Sequence, residues 1–251
     1  MKRLMTVVLA AGLALVGCGG GQNTAQQRVP VTVLAAASLT DVFTKLKPQF
    51  EAAHPEADLR FNFGGSSDLA QQIVNGAPAD VFASANEAQM KVVQDKGKVA
   101  GTPKAFVTNV LTIVVPPGNP KNIHSFADLA KPGVTEVVCA PQVPCGSATT
   151  KIEKATNIKL SPASEESDVL AVLSKVEARV ADAGLVYVTD ARTAEGKVQE
   201  INFPEASKAV NTYPIAAINN AAHPQLAQAF VDFIHSPAAQ QQFTNAGFGA
   251  A

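Results

Sequence analysis

The stretch VTVLAAASLTDVF, residues 31–43, changes character halfway along. It opens as an apolar run of the length of a buried strand. From Leu39 onward the apolar residues Leu39, Val42, Phe43, Leu46 and Phe50 recur at helical intervals and give one face of an amphipathic helix. Pro48 falls inside that pattern, which leaves open either a kink or a fresh turn. Three alanines and Ser38 stand at the junction. A serine there is a favoured N-cap, because its hydroxyl accepts from an orphan backbone N–H. A helix N-terminus at the carboxyl end of a strand is also a place where α/β proteins hold anions.

The same strand-then-helix grammar recurs outward from this stretch. ADLRFNF (57–63) leads into GGSSDLAQQI (64–73), and DVFAS (80–84) precedes a helical pattern over 86–95. Three such units in succession predict a mostly parallel sheet. VTNVLTIVV (107–115) reads as one long strand ended by Pro116 and Pro117. A short helix is expected at 125–130, a strand at 135–139, helices near 147–156 and 167–179 with Ser167 or Asp168 as the second one's cap, and a strand at 183–188. Strands at 198–203 and 210–218 and two closing helices complete the chain, the last opened by Ser236-Pro237. No fixed-period repeat is present.

With 251 residues, 47% of them apolar and 16% charged, the chain can bury a large core. Residues 1–17 carry Lys2 and Arg3 ahead of a short apolar run, the pattern of an export signal and not of a membrane span. The run ends in LVGC (15–18), which resembles the lipobox of bacterial lipoproteins. Cleavage before Cys18 would leave that residue as a lipidated N-terminus, anchoring the protein to the outer face of the cell membrane. Residues 18–29 follow as a glycine-rich tether of ~18 Å typical reach. Without the signal the chain keeps 18 basic and 21 acidic side chains, a net charge of −3 that argues against nucleic acid as a partner.

Cys139 and Cys145 remain, six residues apart across two prolines. In an oxidising compartment such a pair favours a disulfide over free thiols. Zinc fits poorly, since His54, His124, His223 and His235 are scattered without ligand spacing. A serine hydrolase finds no G-x-S-x-G elbow and no recognisable histidine partner motif.

Ser38 and Ser66 each follow a strand and a pair of very small residues, and each opens a helix, so a ligand could approach the backbone N–H groups closely. Residues 31–41, 61–73 and 139–150 contain no Lys or Arg. If these loops face one another, they make a site of neutral donors for a compact anion. A bulky organic ligand would want an aromatic or arginine clamp, and the chain has no Trp.

VLAAASLTDVF, FGGSSDLAQQIVNGAPADVFASA, VPCG and ADAGLVYVTDA occur in this order, and from about Val31 to the end the chain resembles the periplasmic molybdate-binding proteins of ABC transporters. The resemblance implies a type II periplasmic binding protein fold, with two α/β lobes joined by crossing strands and a ligand cleft that closes by hinge motion. Lobe one would be residues 30–109 plus 213–251 and lobe two 110–212. It implies an oxyanion site at Ser38, Ser66, Cys145, Val169 and Tyr187, in which molybdenum enters as molybdate, or tungsten as tungstate. Ser38 and Ser66 would donate through hydroxyl and N–H, Cys145 and Val169 through N–H, and Tyr187 through its hydroxyl. Cys145 stands where the family often has alanine. It further implies a binding protein and not an enzyme, without a cofactor, a monomer expected to deliver its anion to a membrane permease. Another oxyanion such as sulfate on the same fold is the alternative. Phosphate keeps a proton that needs an acceptor, and the nearest candidate, Asp68, is expected to point outward from the first turn of its helix.

Overall fold

The computed structural model describes residues 28–251. The expectations for the signal at 1–17, for lipidation of Cys18 and for the tether up to Gln27 lie outside the described residues. The chain starts in strand β1 (Val29–Ala36), makes a single 3-10 turn at Ala37–Leu39, and enters helix α1 (Thr40–Ala53). α1 continues through Pro48 and buries Val42, Phe43, Leu46 and Phe50, the face its spacing predicts. β2 (Ala57–Gly64), α2 (Ser66–Val74), β3 (Val81–Ala83) and α3 (Glu87–Asp95) follow. Asn86 caps α3 by accepting from the N–H of Gln89.

The long strand expected over 107–115 is two strands. β4 (Val99–Asn109) and β5 (Leu111–Val115) meet at Val110 but belong to different sheets. The apolar run is continuous because both strands are buried there, so hydropathy does not mark the crossing. Next come α4 (Phe126–Leu129), β6 (Glu136–Cys139), α5 (Pro144–Thr156), β7 (Ser164–Glu166), α6 (Val169–Glu177), β8 (Ala183–Tyr187), α7 (Val188–Thr193) and β9 (Gln199–Ile201). β10 (Asn211–Ile218), α8 (Pro224–Ile234) and α9 (Pro237–Ala246) end the chain. Pro144, Pro224 and Pro237 occupy first helical turns, where a missing N–H has no partner to lose.

The strands sort into two five-stranded sheets, ordered β2-β1-β3-β10-β4 and β7-β6-β8-β5-β9. The fold is therefore two mixed α/β lobes. In each sheet three strands pair in parallel and one reversed strand, β10 in the first and β5 in the second, pairs antiparallel with a neighbour on either side, so the sheets are mixed where a mostly parallel one was expected. The departure comes from the strands beside the crossings. β4 and β10 pair with one another next to the junction, with Asn109 opposite Asn211. The chain changes sheets at Val110 and again between β9 and β10, and Asn211 and Thr212 already lie in the first sheet. The first lobe's core is aromatic: Phe230 packs edge-on against both Phe43 and Phe50, and Phe243 closes on Phe43.

Candidate functional site

Each parallel strand delivers the chain to a loop at its carboxyl end, and these loops from the two sheets meet. They line a cleft whose cavity volume is only about 10 Å³, walled by Ser38, Ser66, Cys145, Val169 and Tyr187 among others. That is about the room of a single water-sized sphere and far below the ~300–1,000 Å³ clefts of drug-sized ligands, so only a compact ion fits between these walls. All five side chains are at least nine-tenths buried. Among the described lining residues none is Lys, Arg or His, and the one charged side chain, Asp168, is occupied capping α6 through a 2.9 Å bond from the N–H of Ala171. Asp68 is exposed, as its place in the first turn predicts.

The donors arise from helix geometry. Ser66 and Val169 are the first residues of α2 and α6, and Cys145 is the second of α5. N–H groups at those positions have no carbonyl one turn back to bond to. Ser38 sits in the 3-10 turn before α1, and no side chain caps either that turn or α1. The cap reading of Ser38 and Ser66 is thus replaced: Ser66 follows Gly65, which is the N-cap residue of α2, and neither hydroxyl serves its own helix. Three helix N-termini, each equivalent to roughly +0.5 charge, face the cleft.

Close approach sets the rest. A Cβ on Gly65 would lie 2.1 Å from the carbonyl oxygen of Ser167, so only glycine lets α2 of the first lobe meet the start of α6 in the second. Gln89 in α3 also reaches across, donating from Nε2 to the carbonyl of Gln142 at 2.8 Å. Cys139 and Cys145 are joined by a disulfide that ties the end of β6 to the first turn of α5. Gly146 beside it packs so tightly that a Cβ would stand 2.0 Å from the oxygen of Ala140.

The three hydroxyls have partners behind them. Ser66 Oγ accepts from the N–H of Ala85 at 3.0 Å, and Tyr187 Oη accepts from Asn211 Nδ2 at 2.7 Å. Ser38 Oγ lies 2.9 Å from Tyr213 Oη. Burial, with the charge of Asp190 adding to it, pushes the Tyr187 hydroxyl far above its ordinary range, and burial does the same to Tyr213, so both keep their protons. Asp190 is buried too. Its Oδ2 accepts from the Tyr187 N–H at 3.0 Å, while burial first and the charge of Asp168 second push its carboxyl up to about 7. Ala85, Asn211 and Tyr213 escape sequence reading. The alternation of NTYPIAAI predicts a strand with buried residues and does not say which polar atom supports which hydroxyl.

The model of the bacterial extracellular solute-binding proteins matches residues 31–249. The molybdate-binding protein ModA of Mycobacterium tuberculosis is 47% identical over 98% of this chain and 95% of its own length. The molybdate-binding protein ModA of Escherichia coli is 32% identical, covering 96% of each. Among solved structures, the periplasmic molybdate-binding protein of Azotobacter vinelandii superposes with a TM-score of 0.75 at 22% identity, over 88% of this chain and 99% of that one.

Proposed function

This chain belongs to the bacterial extracellular solute-binding proteins, and among them to the molybdate-binding proteins, and from that premise we propose how it works. It binds molybdate outside the cytoplasm for an ABC transporter and carries out no chemistry on it. Tungstate, of the same charge and shape, is accepted as well. The anion sits between the lobes, held by the N–H groups of Ser38, Ser66, Cys145 and Val169 and by the hydroxyls of Ser38, Ser66 and Tyr187.

The observation that carries this reading is the convergence of these residues from both lobes on one cleft whose described lining includes no Lys, Arg or His. Molybdate and tungstate are fully deprotonated at neutral pH, so a site of donors alone suits them. Hydrogen bonds to a charged group contribute ~1.5–3 kcal/mol each, so several together exceed the ~8 kcal/mol of micromolar affinity. Sulfate is smaller, and donors spaced for molybdate reach it poorly.

The two lobes, with Asn211 and Thr212 grouped with the first, close over the anion, and the closed monomer docks on the membrane permease. The leader at 1–17 exports the chain, and lipidated Cys18 with its tether keeps it at the outer face of the cell membrane. Thermal denaturation with four anions tests the ligand. Molybdate and tungstate at a hundredfold excess over Kd should raise Tm by on the order of 5–10 °C, and sulfate and phosphate by little. An equal response to sulfate rejects the size argument, and no response to any of the four rejects the site.

A further inference from the structure

Asn211 opens β10 opposite Asn109, beside the point where the chain passes between lobes, and is 3% exposed. Its Nδ2 lies 2.7 Å from Tyr187 Oη, 3.1 Å from the carbonyl oxygen of Ala85 and 3.3 Å from that of Pro144. The two carbonyls can only accept, so the atom facing them is the amide nitrogen, which fixes the orientation of the carboxamide. Ala85 follows β3 in the first lobe, and its N–H supports Ser66. Pro144 begins α5 in the second lobe, immediately before Cys145. One buried amide therefore touches Tyr187 directly and the immediate neighbours of two other donors, with partners in both lobes.

We propose that Asn211 is a positioning residue of the oxyanion site, which fixes the Tyr187 hydroxyl as a donor toward the anion and clips the two lobes together behind it. The proposal rests on the molybdate reading above. Tyr187 has one hydroxyl proton. With a lone pair already occupied by Asn211, that proton is free to point into the cleft. Without Asn211, nothing on this side holds that lone pair, and a hydroxyl free to rotate can turn it toward a dianion. The amide has two N–H groups shared among these three acceptors, and because Ala85 and Pro144 belong to different lobes, all three surround it only when the lobes are together. Losing it should speed ligand release more than it slows capture.

A double-mutant cycle with molybdate as the titrant tests this, using wild type, Asn211→Ala, Tyr187→Phe and the double variant, with affinity from calorimetry and rates from stopped flow. Asn211→Ala should weaken molybdate binding roughly 10- to 100-fold, mostly through faster dissociation. In the Tyr187→Phe background the same change should cost less than a third of that factor. Multiplicative losses, or a change of under twofold in Asn211→Ala, would overturn the proposal. If Asn211→Ala does not fold, Asn211→Ser enters the same cycle with the same criteria. The wild type separates the two levels: no molybdate binding there removes the ligand reading and this inference with it, whereas normal wild-type binding with an additive cycle removes this inference alone.

Discussion

The two lobes are built on one plan and furnish the cleft differently. Each has three strands paired in parallel, with helices starting at their carboxyl ends, and a reversed strand that joins a fifth strand to the sheet. The first lobe contributes Ser38 and Ser66, whose hydroxyls add to their N–H groups and are held from behind by Tyr213 and Ala85. From the second come Cys145 and Val169, which offer only main-chain N–H groups, and Tyr187. A main-chain donor leaves its side chain free for other work. Val169 packs into the core, and Cys145 forms the disulfide with Cys139. On the proposed reading, hydroxyls serve beside N–H groups on the first wall, whereas the second relies on main-chain N–H groups and the single hydroxyl of Tyr187.

The largest effect should come from the first wall. Ser38→Ala with Ser66→Ala keeps both N–H groups and both buried volumes nearly intact, so the double variant should fold yet lose at least ~100-fold in molybdate affinity by calorimetry. A loss of under tenfold would mean that the backbone holds the anion on both sides. On the opposite wall, Cys139→Ala with Cys145→Ala should lower stability in urea by about 2 kcal/mol, the chain-entropy contribution of so small a ring, with affinity changing by under about threefold. Val169→Ala should likewise cost packing stability, on the order of 1 kcal/mol, with little effect on affinity. A large affinity loss in either variant would erase the contrast between the walls.

The smallest effect concerns Asp190, whose carboxyl is held at about 7 by burial. An acid whose pKa is raised on folding binds more protons in the native state, so its contribution makes stability fall as pH rises from about 4 to about 7. Asp190→Asn keeps a carbonyl oxygen to accept from Tyr187 and removes the ionisation. Urea unfolding from pH 4 to 8 should show the variant gaining on the wild type as pH rises, and parallel curves would refute the assignment.

Much of this cleft was legible in the amino-acid order because its donors depend on local rules. A strand, two very small residues and a helix start are visible in AAASL and FGGSS, and the lack of basic residues in those loops already pointed to neutral donors. The crossing at Val110 was not legible, since buried strands on either side share one apolar run. β7 was missed because SEE, three polar residues at a sheet edge, carries no hydrophobic alternation. Asn211, Tyr213 and Asp190 were missed for a different reason. Their roles are set by contacts between residues far apart in sequence, and an aspartate three residues past a strand tyrosine reads as a surface acid until burial is seen.

In the proposed complex, uncharged donors from both lobes hold a dianion without a cation. A crystal structure of the molybdate-loaded protein, with the metal located by its anomalous scattering, tests it most directly. Molybdenum is expected between the lobes, its oxygens within hydrogen-bonding distance of the N–H groups of Ser38, Ser66, Cys145 and Val169 and of the Tyr187 hydroxyl. Molybdenum bound elsewhere, or a lysine or arginine side chain in contact with the oxyanion, would contradict it.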